Sequence, residues 1–124
     1  MEKQISVAKY ENSILPGFRN KLSKAESTED VKKFFIYTVR ELLVNVFQNN
    51  NYHDFDAIEL SPSGESPYKL DAARVSGEAF GIEFFNIWNN SDLPRVIAGL
   101  AETALHRRQH LAKNPEKTIA KIRN

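Results

Sequence analysis

Thr28-Glu29-Asp30-Val31-Lys32-Lys33-Phe34-Phe35-Ile36-Tyr37-Thr38-Val39-Arg40-Glu41-Leu42-Leu43-Val44-Asn45-Val46-Phe47-Gln48 is the stretch that decides how this chain folds. Wound as an α-helix, it puts Val31, Phe35, Val39, Leu42, Leu43 and Val46 on one broad arc, which Ile36 and Phe47 widen. Only a strip of Lys33, Tyr37, Arg40, Glu41 and Gln48 is left for water. An apolar arc this wide needs packing on more than one side, so the stretch predicts a central helix over about 28–48. Its start is marked by Ser27-Thr28-Glu29-Asp30: a hydroxyl able to accept from exposed N–H groups, then two acids at the positive end of the helix dipole. Asn49-Asn50-Asn51 predicts its end, because asparagine tolerates the left-handed conformation that caps a helix.

On the N-terminal side, residues 1–12 suit strand or helix equally. Leu15, Phe18 and Leu22 then predict a short amphipathic helix from Ser13, entered through Pro16 near its first turn. On the C-terminal side, Ile58 and Leu60 flank Glu59, and Tyr68 and Leu70 flank Lys69, around a loop rich in Ser, Pro and Gly. This pattern predicts a β-hairpin over about 56–72 whose apolar face must lie on a helix. Ser76-Gly77-Glu78 reads as the next helix start, with Phe80, Phe84, Ile87 and Trp88 at helical spacing; the competing strand reading alternates Phe80, Ile82 and Phe84. Ser91-Asp92-Leu93-Pro94 opens a further helix. Leu93, Val96, Ile97, Leu100, Ala101, Ala104 and Leu111 line one face of it to about Lys113. Asn114-Pro115-Glu116 restarts a short terminal helix, or a frayed basic tail, over 114–124. The fold class is therefore α+β and mostly helical: four to five helices around the central one, with one β-hairpin, in a single domain over 1–124.

Charge is sorted along the chain. Residues 1–40 hold eight Lys/Arg and five Asp/Glu, residues 41–105 three against ten, and residues 106–124 six against one. A formal net charge of +1 thus hides a basic–acidic–basic layout, which bears on partners and self-association but not on reaction type. Cysteine is absent, which removes a disulfide framework, a thiolate nucleophile and a cysteine-based zinc site, and fits a reducing compartment. No apolar run of signal-peptide length follows Met1, and charges interrupt the densest apolar segment, Val31 to Phe47, too often for it to span a bilayer. The expectation is a soluble, cytoplasmic protein with no membrane partner and no cofactor.

Candidate sites are few. Glu102, His106 and His110, four apart, form one stripe that resembles a metal-ligand set, yet His106-Arg107-Arg108-Gln109-His110 lacks the glutamate of a zinc-protease motif. The stripe also opposes the apolar face, so a solvated surface is the preferred reading. Arg107 and Arg108 flank the apolar face instead, and with Lys113, Lys117, Lys121 and Arg123 could make a basic surface for an anion or a nucleic acid, although a soluble, partly frayed C-terminus is the preferred reading. No aromatic accompanies them in residues 106–124, so the nucleic-acid signal is weak. His53 and Asp54 invite an acid–base reading, against which stands a plain capped helix end. Phe80, Phe84, Phe85 and Trp88, with Phe34, Phe35 and Phe47, are expected to form most of the core, which is the preferred reading. Because Phe84 and Phe85 point about 100° apart and Phe34 lies off the main arc of its helix, one or two of Phe34, Phe84, Phe85 and Trp88 are left for a partner groove or a homodimer seam. The leading expectation is a small non-enzymatic interaction module that binds another protein or a second copy of itself. The alternatives are a polyanion or nucleic-acid binder using the basic C-terminal helix, and a small metal-dependent hydrolase using the histidines.

Overall fold

A computed structural model describes residues 6–62, 64–77 and 80–113. Among the described residues five α-helices and one two-stranded antiparallel hairpin run in the order α1 (Ala8–Ser23), α2 (Thr28–Phe47), a 3₁₀ turn (Asn50–Asp54), β1 (Ile58–Leu60), β2 (Tyr68–Leu70), α3 (Ala72–Ser76), α4 (Gly81–Asn90) and α5 (Leu93–Lys113). The fold class is the α+β, mostly helical one expected. Packed against α2 are α1, α5, the 3₁₀ turn and β1, so the central position read from its wide apolar arc holds. Val31, Phe35, Val39, Leu42 and Leu43 are completely buried. The buried side chains of all these elements form one continuous cluster. No helix among the described residues is long and apolar enough to cross a membrane.

Local chemistry explains the boundaries of α2. The Ser27 hydroxyl accepts from the Asp30 N–H at 3.1 Å, and the Asp30 carboxylate accepts in return from the Glu26 N–H at 3.0 Å. One N–H that the helix geometry leaves over is thereby satisfied, together with that of the residue preceding the cap. At the other end the expected asparagine cap is displaced by one residue: Gln48 takes the left-handed conformation (φ 54°). Asn49 begins the 3₁₀ turn instead, its side-chain oxygen accepting from the Asn51 N–H at 2.9 Å. The reason is packing, since the turn must carry Tyr52 and Phe55 back under the helix.

Helix α1 is longer than its sequence signals suggest. It begins at Ala8, so Pro16 lies inside it, and Ile14, Phe18 and Leu22 form its buried face while Leu15 is half-buried. Interior proline frees the carbonyl four residues back, here that of Asn12, at a cost of about 3 kcal/mol. Asn12 and Pro16 are both exposed, so water can hydrate that carbonyl. The hairpin pairs Ile58 with Leu70, Glu59 with Lys69 and Leu60 with Tyr68, the register implied by its alternation. Asp71 extends the ladder by donating its N–H to the Ala57 carbonyl at 2.8 Å, and its carboxylate caps α3 through the Arg74 N–H at 3.0 Å. Ser76 therefore ends α3 rather than opening the next helix. From Gly81 onward the helical reading of the Phe-rich segment holds against the strand. All seven residues expected on the buried face of α5 are buried. The proposed start of a last helix at Asn114-Pro115-Glu116 and the ambiguous first residues, 1–5, lie outside the described residues.

Two glycines give opposite expectations. A Cβ at Gly81 would sit 2.6 Å from the Val75 carbonyl oxygen and 3.2 Å from the Ser76 backbone, where nothing flexible can yield. Gly81→Ala is therefore expected to destabilise the fold by about 1–3 kcal/mol, although alanine is the better helix former. At Gly99, within α5, a Cβ meets nothing within 4 Å. Gly99→Ala is expected to stabilise by about 0.5–1 kcal/mol. Urea unfolding of the two variants checks both signs.

Candidate protein-interaction surface

Most of the aromatic surplus is absorbed by the core. Tyr52 is completely buried, 4.6 Å from Phe47 and 4.3 Å from Phe80 between ring centroids. Its hydroxyl donates to the Glu83 carboxylate at 3.4 Å. Burial, and then the Glu83 charge and hydrogen bond, push its phenol far above the ordinary range. Phe84 is also fully buried, so its assignment to a partner surface is corrected: its ring contacts Phe47, Tyr52, Phe55, Phe85 and Trp88. Phe34, Phe85 and Trp88 are partly buried against the core and keep some exposure. Tyr68, edge-on to Trp88 at 6.2 Å, has its phenol raised by burial.

Among the described residues two large apolar side chains are exposed, Ile82 at 92% and Tyr37 at 49%. Ile82 lies beside the exposed Glu83 and Asn86 of α4, and single exposed side chains of this kind are ordinary. Tyr37 is different because of where it stands. It lies on the strip of α2 that the other elements leave open, beside a shallow cavity of about 370 Å³ lined also by Arg40, Glu41, Val44, Asn45 and His53. Helical spacing brings the first five together, and the 3₁₀ turn brings His53 back over them. Arg40 is set by a 2.7 Å hydrogen bond from its Nε to the Phe55 carbonyl, and its guanidinium lies 5.9 Å from the centre of the Tyr37 ring. An aromatic and a valine therefore share a groove with a positioned arginine and a polar rim. That is a combination suited to holding a peptide or helix surface.

The remaining candidates fare differently. Glu102, His106 and His110 are exposed on α5, and no three His, Asp or Glu among the described residues gather as a metal site. Arg107 is engaged within the fold: its Nη2 donates to the carbonyls of Ser23 (3.3 Å) and Ala25 (3.0 Å). Those carbonyls lie where α1 ends, and an end-of-helix carbonyl needs a donor as much as a guanidinium needs an acceptor. Its Nε is buried without a partner. Arg108 and Lys32 line a small cavity of about 120 Å³ with Thr28, Leu60 and Pro62, but Glu29 shares it and dilutes the positive charge. Of the other basic residues, Lys113 closes α5, while Lys117, Lys121 and Arg123 lie outside the described residues. His53 and Asp54 are both exposed, and only His53 reaches the groove. A second cavity of about 370 Å³ beside the hairpin holds Asp56, Glu59, Lys69, Asp71 and Arg74, but there Arg74 already bridges to Asp56 at 2.9 Å.

In the sequence alone, Tyr37, Arg40 and Glu41 read as a solvated strip and His53 as a helix-end residue. The signal that could mark them is Tyr37 with Val44 seven residues on, two apolar positions centred on the polar side of the helix. No protein-family model, curated protein or solved structure matches this chain, so the geometry of the groove carries the functional argument.

Proposed function

We propose that this chain is a small, soluble, non-enzymatic interaction module that docks a protein partner along the open strip of α2. The observation that carries the reading is Tyr37. A half-exposed tyrosine stands on the strip of the central helix that the packed elements leave open, next to a cavity that continues its apolar surface through Val44. Tyrosine and arginine are the side chains that most often dominate binding energy, because each buries a large area with little rotamer freedom to lose. Glu41, Asn45 and His53 supply a rim that can exchange water for a partner's polar groups. A cytoplasmic setting accords with a chain that has no cysteine.

Photo-cross-linking tests the site in cells. A benzophenone amino acid in place of Tyr37 is expected to give a defined protein adduct, while the same group in place of Ile82 gives much less. Equal labelling from the two positions contradicts the reading, since both side chains are exposed and only one is at the groove.

A further inference from the structure

The open strip of α2 carries its own complement. Viewed down the helix at 100° per residue, Tyr37 and Val44 occupy the middle of the strip. Arg40 and Glu41 fall on opposite edges of it, at nearly the same height. Both line the one groove. Lys33 lies on the edge of Arg40, and half-buried Phe34 on the edge of Glu41.

Two identical helices can pack about a twofold axis in two ways. Running antiparallel, each edge meets its own copy, so Arg40 and Lys33 would face the partner's Arg40 and Lys33, and Glu41 the partner's Glu41. Running parallel, each edge meets the opposite edge. Arg40 then faces the partner's Glu41, Glu41 faces the partner's Arg40, and the middle residues Tyr37 and Val44 meet their own counterparts. Like charges held together oppose association, and unlike ones select the register, as at the flanking positions of a coiled coil.

We propose that the occupant of this groove is a second copy of the chain, the two α2 helices lying parallel about a twofold axis with reciprocal Arg40–Glu41 pairs. This rests on the docking face proposed above and names its partner. Arg40 suits the role because its Nε is anchored to the Phe55 carbonyl while its terminal nitrogens have no other hydrogen bond among the described residues. The arginine is thus held in place before the second copy arrives, which reduces the entropy lost on pairing.

The absence of cysteine makes the test direct. A parallel seam places identical residues face to face, so Tyr37→Cys is expected to form a disulfide-linked dimer ~10-fold or more faster than an exposed control, Lys9→Cys, at equal concentration. Adding Glu41→Arg should abolish that advantage, and so should Arg40→Glu. Mixing the two charge variants should restore it, because both pairs are then again of opposite sign. The Glu41 side chain makes no hydrogen bond or ion pair among the described residues, so its variant carries the test even if Arg40→Glu weakens the fold through Phe55.

Cross-linking of Tyr37→Cys no faster than the control overturns the proposal. So does preferential linkage of Tyr37→Cys to Val44→Cys in a mixture, which marks an antiparallel seam. If the cysteine assay is negative while benzophenone at position 37 captures a different protein, self-pairing falls and the docking face stands. If neither reaction occurs, both fall.

Discussion

Phe84→Ala is expected to cost about 3–5 kcal/mol, the largest loss of stability expected from truncating any one ring of this aromatic cluster. Its ring is completely buried and lies 5.3–6.4 Å from those of Phe47, Tyr52, Phe55, Phe85 and Trp88. These partners come from the end of α2, the 3₁₀ turn, the segment after it and α4, so one side chain ties four pieces of chain together. Truncation removes apolar area and leaves a cavity that no single neighbour can refill, since each ring is held by the others. The melting temperature should fall by roughly 10–20 °C. Ile82→Ser, two residues earlier on the same helix and 92% exposed, should stay within about 0.5 kcal/mol of the parent. Similar losses from the two variants would mean that α4 does not present this face to the core. The same cluster matters for recognition, because Tyr52 holds the turn that brings His53 to the groove.

Replacing Asp92 is expected to have the next largest effect, with a characteristic dependence on pH. Asp92 accepts from the Val7 N–H at 2.7 Å, from the Ser6 hydroxyl at 3.4 Å and from Arg95 at 3.3 Å. It thereby fastens the start of α1 to the start of α5. Val7 is buried, so without Asp92 its N–H would lose a partner where water reaches poorly. Asp92→Ala should cost about 1.5–3 kcal/mol, the range for hydrogen bonds to a charged group. Burial pushes the carboxyl upward, but the bonds from Val7 and Arg95 outweigh it and hold Asp92 below the ordinary carboxylate value. The folded state therefore binds this proton less readily than the unfolded one. The stabilisation is complete above the unfolded value of about 4 and is lost as pH falls through the lower folded value. Urea titrations at a series of pH values should show the parent losing its advantage over Asp92→Asn as acid is added. A constant difference between them at all pH values would contradict this role for the carboxylate.

Periodicity makes the long helices legible. Helices α2 and α5 each repeat apolar residues over several turns, and a repeat sustained that long outweighs local propensity. The hairpin is legible from its alternation and the loop between its strands. What escapes has its cause in tertiary structure. Tyr52 and Phe55 lie in a run of Asn, His and Asp that reads as solvent-facing, and only the return of the chain beneath α2 buries them. Pro16 reads as a helix start because proline is favoured there. Its place inside α1 works because the freed carbonyl faces water. The role of Arg107 depends on where α1 ends relative to α5, which no spacing in the sequence encodes. The groove is half legible. Its α2 residues are visible as a polar strip, but the cavity exists only because His53 is carried back over them.

Hydroxyl-radical footprinting of the tyrosines tests the account at its centre, a central helix packed into the core with its open Tyr37 strip used for recognition. In dilute protein, Tyr37 should oxidise readily and Tyr52 hardly at all, in line with their 49% and 0% exposure. As the protein is concentrated, Tyr37 should become protected while Tyr10, which lies on α1, keeps its rate. Oxidation of Tyr52 as fast as Tyr37 would contradict the buried core, and a Tyr37 rate that does not change with concentration would contradict the paired strip.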